Sequence, residues 1–184
     1  MKGSARTVLA FLAMLVMMLA AFAIGAYRGY FNDKLQVELA LSSLSDVLTT
    51  RIEMGHNLLT VAGRHLDEEE AMLQSVKKDI AELSSSVTLD AKASANERLT
   101  RDSKALLLLL ENTDSVKADQ RDLRYVTGLL PRGFEQSAQW ADAAQYNAAA
   151  SEFNARLEGT INGRVAQLLG IDTAELFGNG GAGL

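Results

Sequence analysis

From Thr7 to Ala26 the chain carries no charged residue and is almost wholly apolar, with Lys2 and Arg6 before the run and Arg28 and Lys34 after it. A helix rises about 1.5 Å per residue, so a run of this length reaches across roughly 30 Å of hydrocarbon. It reads as one transmembrane helix, and everything behind it as a body tethered to a membrane. A cleaved secretory signal is the rival reading, because Ala21-Phe22-Ala23 offers small residues at the spacing that signal peptidase accepts. Signal cores are shorter, about 7–15 residues. This run instead ends in Tyr27, Tyr30 and Phe31, rings suited to the headgroup layer. A retained anchor is therefore expected. The basic residues flanking it number two on each side, so only the α-amino group favours an inside N-terminus with the body outside.

Behind the anchor, residues 35–184 hold 14 basic and 22 acidic side chains, a balance of −8. Such a surface repels nucleic acid and is held off an anionic lipid sheet. The chain has no cysteine, which removes disulfides, thiol nucleophiles and thiolate metal sites, and leaves the redox compartment open. A single proline in a chain rich in Ala, Leu, Glu and Gln, with no period-2 alternation between hairpin turns, favours helix throughout. The fold class is all-α.

Apolar spacing divides the body. Leu41, Leu44, Leu48, Ile52, Leu59 and Ala62 form a helical stripe that continues the membrane helix, with a break expected at Gly63. Asp67 and Glu70 have the spacing of a capping box, and the acidic run from Asp67 to Glu70 suits the positive end of a helix dipole better than a metal. Leu73, Val76, Ile80, Leu83 and Val87 step as a heptad seam. Residues 84–96 read as a frayed helix or a loop, and helix resumes near Ala95, with Leu106 to Leu110 buried on several sides. Asn112 to Asp114 form a turn or cap, and a short helix follows over 116–130. Pro131-Arg132-Gly133 marks the clearest break, after which one long helix is expected from Phe134 to Leu169, ended by Gly170 in a left-handed conformation. The glycine-rich tail has nothing to bury and should be disordered. Long helices with short connections pack antiparallel. The whole reads as a flank (1–6), an anchor (7–30), an elongated antiparallel bundle of about four helices (31–177) and a tail (178–184).

Few residues here could do chemistry. Glu53 and His56 make an E-x-x-H quartet, but a di-iron bundle needs two, and His65 follows Ala62 rather than an acid. No G-x-S-x-G elbow, P-loop or G-x-G-x-x-G is present, so neither a catalytic residue nor a bound cofactor or metal is expected. Ala21, Gly25 and Gly29 form a small-residue ridge along one face of the span, which would let two copies approach closely in lipid.

Tyr146-Asn147-Ala148-Ala149-Ala150-Ser151-Glu152-Phe153-Asn154 resembles the YN-x5-YN element of the LemA family, bacterial membrane-anchored helical bundles. Gly170-Ile171 and Glu175-Leu176-Phe177 are similar to that family's closing pattern, Glu111 to Asp119 to its E-A-Y-P-x-L-K-A-N stretch, and Arg51 to Leu58 to its R-R-Y-D-L-I-P-N-L junction. The resemblance spans Val37 to Phe177 and carries structural roles to Tyr146, Asn147, Phe153, Asn154, Gly170 and Phe177. His56 and Asp114 stand where the family pattern has proline, so the first helix should run straight on. Membership implies a fold and an anchor rather than a chemistry, and the family's own topology places the N-terminus outside, against the charge count. Tyr146 and Phe153 fall seven apart on one helical stripe, with Asn147 and Asn154 on the next, a spacing suited to fixing helix register. The function expected is a non-enzymatic, single-pass scaffold of the bacterial inner membrane that self-associates and recruits other membrane proteins, with its body on the outer side. A sensory module relaying through a partner is the alternative.

Overall fold

The structure, a computed structural model, describes residues 2–140 and 143–178. They are all-α, with no strand among the described residues. The helices are α1 (Lys2–Ala62), α2 (Ala71–Ser85), α3 (Leu89–Asn112), α4 (Asp114–Ala118), α5 (Gln120–Arg124), a π-helical turn (Tyr125–Leu129), α6 (Leu130–Trp140), α7 (Ala144–Gly159) and α8 (Ile161–Leu168). The chain divides into two compact units, Met1–Leu39 with Ala148–Ala174, and Ala40–Asn147 with Glu175–Leu184.

α1 runs unbroken past His56, as the missing proline implied, and ends before Gly63. In the second unit its buried face is Leu44, Leu48, Arg51, Gly55, Leu58 and Ala62, a strict heptad-like succession. The expected stripe through Ile52 and Leu59 is displaced by one position, and both residues are only half-buried. Gly55 is what lets α2 and α3 come in, since a Cβ there would sit 2.6 Å from Ile80 Cδ1 and 3.7 Å from Leu99 Cδ1. α2 presents Leu73, Val76, Ile80 and Leu83 to this core, each burial contributing about 1.5–3 kcal/mol. Val87 does not extend the seam. It is 94% exposed, because α2 stops at Ser85 and the chain turns through 86–88. That turn is shorter than expected: the Thr88 hydroxyl accepts from the Ala91 N–H (3.3 Å) and starts α3 six residues before Ala95. Leu106, Leu107 and Leu110 are buried in α3, whereas Leu108 points out.

Three further expectations are corrected. Asp67 and Glu70 form a backbone turn ahead of α2, and Glu70 makes no side-chain cap. Pro131 lies inside a helix instead of breaking one. The preceding π turn, closed by the Leu130 N–H on the Tyr125 carbonyl, places the proline in the opening turn of α6, where its missing N–H matters least. The segment 134–169 is also three helices rather than one: the described residues show α6 ending at Trp140 and α7 ending at Gly159. The second break has a local cause. Thr160 is extended, and its hydroxyl accepts from the Gly163 N–H (2.9 Å) as the cap of α8. Ala141 and the tail beyond Gly178 lie outside the described residues.

α8 closes as the sequence indicates. The Ile171 N–H bonds the Ala166 carbonyl and the Gly170 N–H that of Gln167, with Gly170 at φ +93°, the paired bonds of a Schellman end.

Candidate functional site

In the first unit the features of interest gather where α1 leaves its apolar run. The side chains from Thr7 to Gly25 are exposed apart from Ala23, which is half-covered; burial begins at Ala26 and Tyr30. Tyr30 turns toward α7: its ring meets Phe153 edge-on at 6.4 Å, and the Arg156 guanidinium lies 5.9 Å from its centroid. The Tyr30 hydroxyl donates to the Arg156 carbonyl (2.9 Å) and lies 2.7 Å from Thr160 Oγ1. Asp33 pairs with Arg156 at 3.0 Å. Gly25, Gly29, Tyr30, Asp33, Arg156 and Asn162 line a cleft of about 390 Å³ here. Gly25 and Gly29 meet nothing within 4 Å of a notional Cβ, and Ala21 is exposed, so the proposed ridge is open along α1.

The Tyr/Asn element has a more specific use than a polar ladder between helices. In the first unit the Asn154 amide accepts from the Ala174 N–H (2.8 Å) and donates to the Ala174 carbonyl (2.9 Å). In the second, Asn147 does the same to Phe177, at 2.8 and 3.0 Å. Each side chain copies the pairing of a β-strand neighbour and satisfies both backbone groups of one residue in the closing segment. Tyr146 adds a hydrogen bond to the Glu175 carbonyl (2.5 Å), and burial, then the Glu175 charge, hold its phenol above the ordinary pKa. The Glu175 carboxylate accepts from the Leu89 and Asp90 N–H groups (2.8 and 3.4 Å) at the start of α3, where the helix dipole favours an anion.

The second unit also buries charges that the apolar pattern did not reveal. Arg51 is fully buried, with neutral acceptors around it: Nε donates to Asn96 Oδ1 (2.5 Å), Nη1 to Ser137 Oγ (3.1 Å) and the Phe134 carbonyl (3.3 Å), and Nη2 to Thr100 Oγ1. Desolvation pushes its pKa down. The fork of a guanidinium is what allows one side chain to tie α1 to both α3 and α6. Beside it, Thr100, Lys104, Leu107, Phe134 and Glu135 line a cleft of about 820 Å³. Arg51 falls on the heptad step between Leu48 and Gly55, a spacing that could have marked it as inward-facing despite its charge.

Asp122 is equally buried. Both of its oxygens accept from Arg64 Nη1 (2.8 and 2.9 Å), and Oδ2 lies 2.9 Å from His65 Nε2. His65, Asp119 and Asp122 stand close enough to face one cation. Asp122 is already engaged by Arg64 and His65, and Asp119 Oδ1 accepts from the Asp122 and Arg121 N–H groups, which hold its carboxyl below the ordinary range. The cluster works as an ion-paired cap on α5. Glu53 and His56 are both exposed on α1.

The chain matches the LemA family over residues 40–182. Neither a curated protein nor a solved structure matches it.

Proposed function

The chain belongs to the LemA family, and from that premise we propose that it is a non-enzymatic, membrane-anchored scaffold of the bacterial inner membrane. One observation carries this reading: α1 exposes Val8, Leu9, Phe11, Met14, Val16 and Leu19, each more than half accessible, over a helix long and apolar enough to cross a bilayer. Left in water, that surface would drive aggregation. In lipid it costs nothing, and the ridge of Ala21, Gly25 and Gly29 then offers a place for a second copy. The body, by the α-amino charge ahead of the span, lies on the outer side, and its helix faces recruit other membrane proteins.

Replacing Gly25 and Gly29 together by leucine and measuring self-association in a membrane two-hybrid assay tests the scaffold. The proposal expects association to fall, and unchanged association removes the ridge from it. The relay alternative draws on one feature, the unbroken course of α1 from Lys2 to Ala62. It requires a partner whose output changes when that helix is interrupted, for example by proline at Leu35.

A further inference from the structure

α8 is built inside out. Its buried residues are Gly163 and Ala166, while Ile161, Leu168 and Leu169 are 77%, 87% and 46% exposed. At 100° per residue, positions 161, 165, 168 and 169 fall on one face and 163 and 166 on the opposite one. The smallest side chains thus meet the protein and the largest aliphatic ones face away. Between Thr160 and Ile171 the single ionised residue is Arg164, which sits at the edge of the aliphatic face. A helix bathed in water carries the reverse arrangement.

Its position identifies what covers that face. The hydrogen-bonding contact between Tyr30 and Thr160 (2.7 Å) fixes the start of α8 beside a residue only four positions beyond Ala26, where the apolar run ends. Four helical residues rise about 6 Å, roughly the depth of the interfacial layer on one side of a bilayer. If Thr7 to Ala26 fills the hydrocarbon, α8 begins in the headgroup region.

We propose that α8 is a membrane-surface helix, its Ile161, Leu168 and Leu169 face sunk into the boundary between headgroups and acyl chains and Arg164 reaching lipid phosphate. This rests on the anchored reading of α1. Interfacial helices sink their apolar side about 5–10 Å, which suits side chains of this length. The small buried face brings α8 close to the end of α7 while the aliphatic face remains free for lipid. Gly163 has no alternative there, since a Cβ would collide with the backbone carbonyl of Leu157.

The chain has no cysteine, so single-cysteine variants can be labelled cleanly. The full-length protein carrying Leu168→Cys, Leu15→Cys or Ser151→Cys is labelled with a nitrobenzoxadiazole dye and reconstituted into vesicles of phosphatidylethanolamine and phosphatidylglycerol, with or without brominated acyl chains. Leu15 reports the span, and exposed Ser151, about 13 Å along α7 from Thr160, reports water. The proposal expects bromolipid quenching several-fold stronger at positions 15 and 168 than at 151. Quenching at 15 with none at 168 overturns it and leaves the anchor standing. A blue-shifted dye at 168 that bromolipid does not quench assigns the face to protein contact and also overturns it. Absence of quenching at 15 overturns the anchored reading itself, and the surface helix with it.

Discussion

α2 and α8 have the same helical period and opposite polarity. α2 turns Leu73, Val76, Ile80 and Leu83 inward and leaves Lys78 and Glu82 toward solvent, while α8 turns Gly163 and Ala166 inward and leaves its leucines outside. Periodicity alone tells that both are amphipathic. Only the size of the side chains on the protein-facing stripe tells what lies on the other side. A helix between core and water buries its largest residues, and a helix between core and lipid can bury its smallest, because lipid receives aliphatic surface as readily as a protein interior does.

The contrast breaks most visibly under truncation. Leu83→Ala removes buried volume between α2 and its neighbours and should cost about 2–5 kcal/mol in denaturant unfolding of the detergent-solubilised protein. A smaller loss would mean that α2 packs loosely. Gly163→Ala tests the reverse geometry: the added methyl meets backbone that cannot rotate away, and a loss of about 1–3 kcal/mol is expected by the same measurement. If alanine is tolerated at 163, α8 is not held close by its small face.

On α2, Asp79 is buried next to Ile80. Arg98 Nε donates to its Oδ1 (3.1 Å), while its Oδ2 has no hydrogen-bond partner. Desolvation raises its pKa and neighbouring Asp102 adds to the rise, against the lowering effect of Arg98. Between the ordinary carboxylate value and the raised one, the folded state thus binds this proton more readily than the unfolded chain does. Asp79 makes the fold more stable as pH falls through that raised value toward the ordinary carboxylate range, and less stable as pH rises. Asp79→Asn should flatten this part of the pH profile of unfolding midpoints, and an unchanged slope would place the titration elsewhere. The smallest effect belongs to α8: Leu168→Ser should change stability in detergent by less than about 0.5 kcal/mol, as at other exposed sites.

The helical class, the family, the termination at Gly170 and the straight course of α1 were all legible in residues, because each depends on local chemistry: proline content, a repeated motif, a left-handed glycine, an absent kink. What was not legible depended on partners distant in sequence. Ile52 and Leu59 drew the stripe on α1 away from its true line, since Arg51 and Gly55 look wrong for a core until Asn96, Ser137 and Ile80 are in place around them. Pro131 read as a break because a π turn upstream leaves no compositional mark. Thr160 as a cap was within reach, a threonine following glycine with an N–H three residues on, but the aliphatic residues on both sides concealed it. The Asn147 and Asn154 spacing was visible as a motif, and its purpose emerged only with the backbone groups of Phe177 and Ala174 that the two amides grip.

If lipid covers the exposed apolar surface of α1, alkaline carbonate extraction of membranes should leave the full-length chain in the bilayer, and on flotation it should rise with the vesicles at high pH. Recovery of the intact chain in the soluble fraction would mean that α1 does not span the membrane.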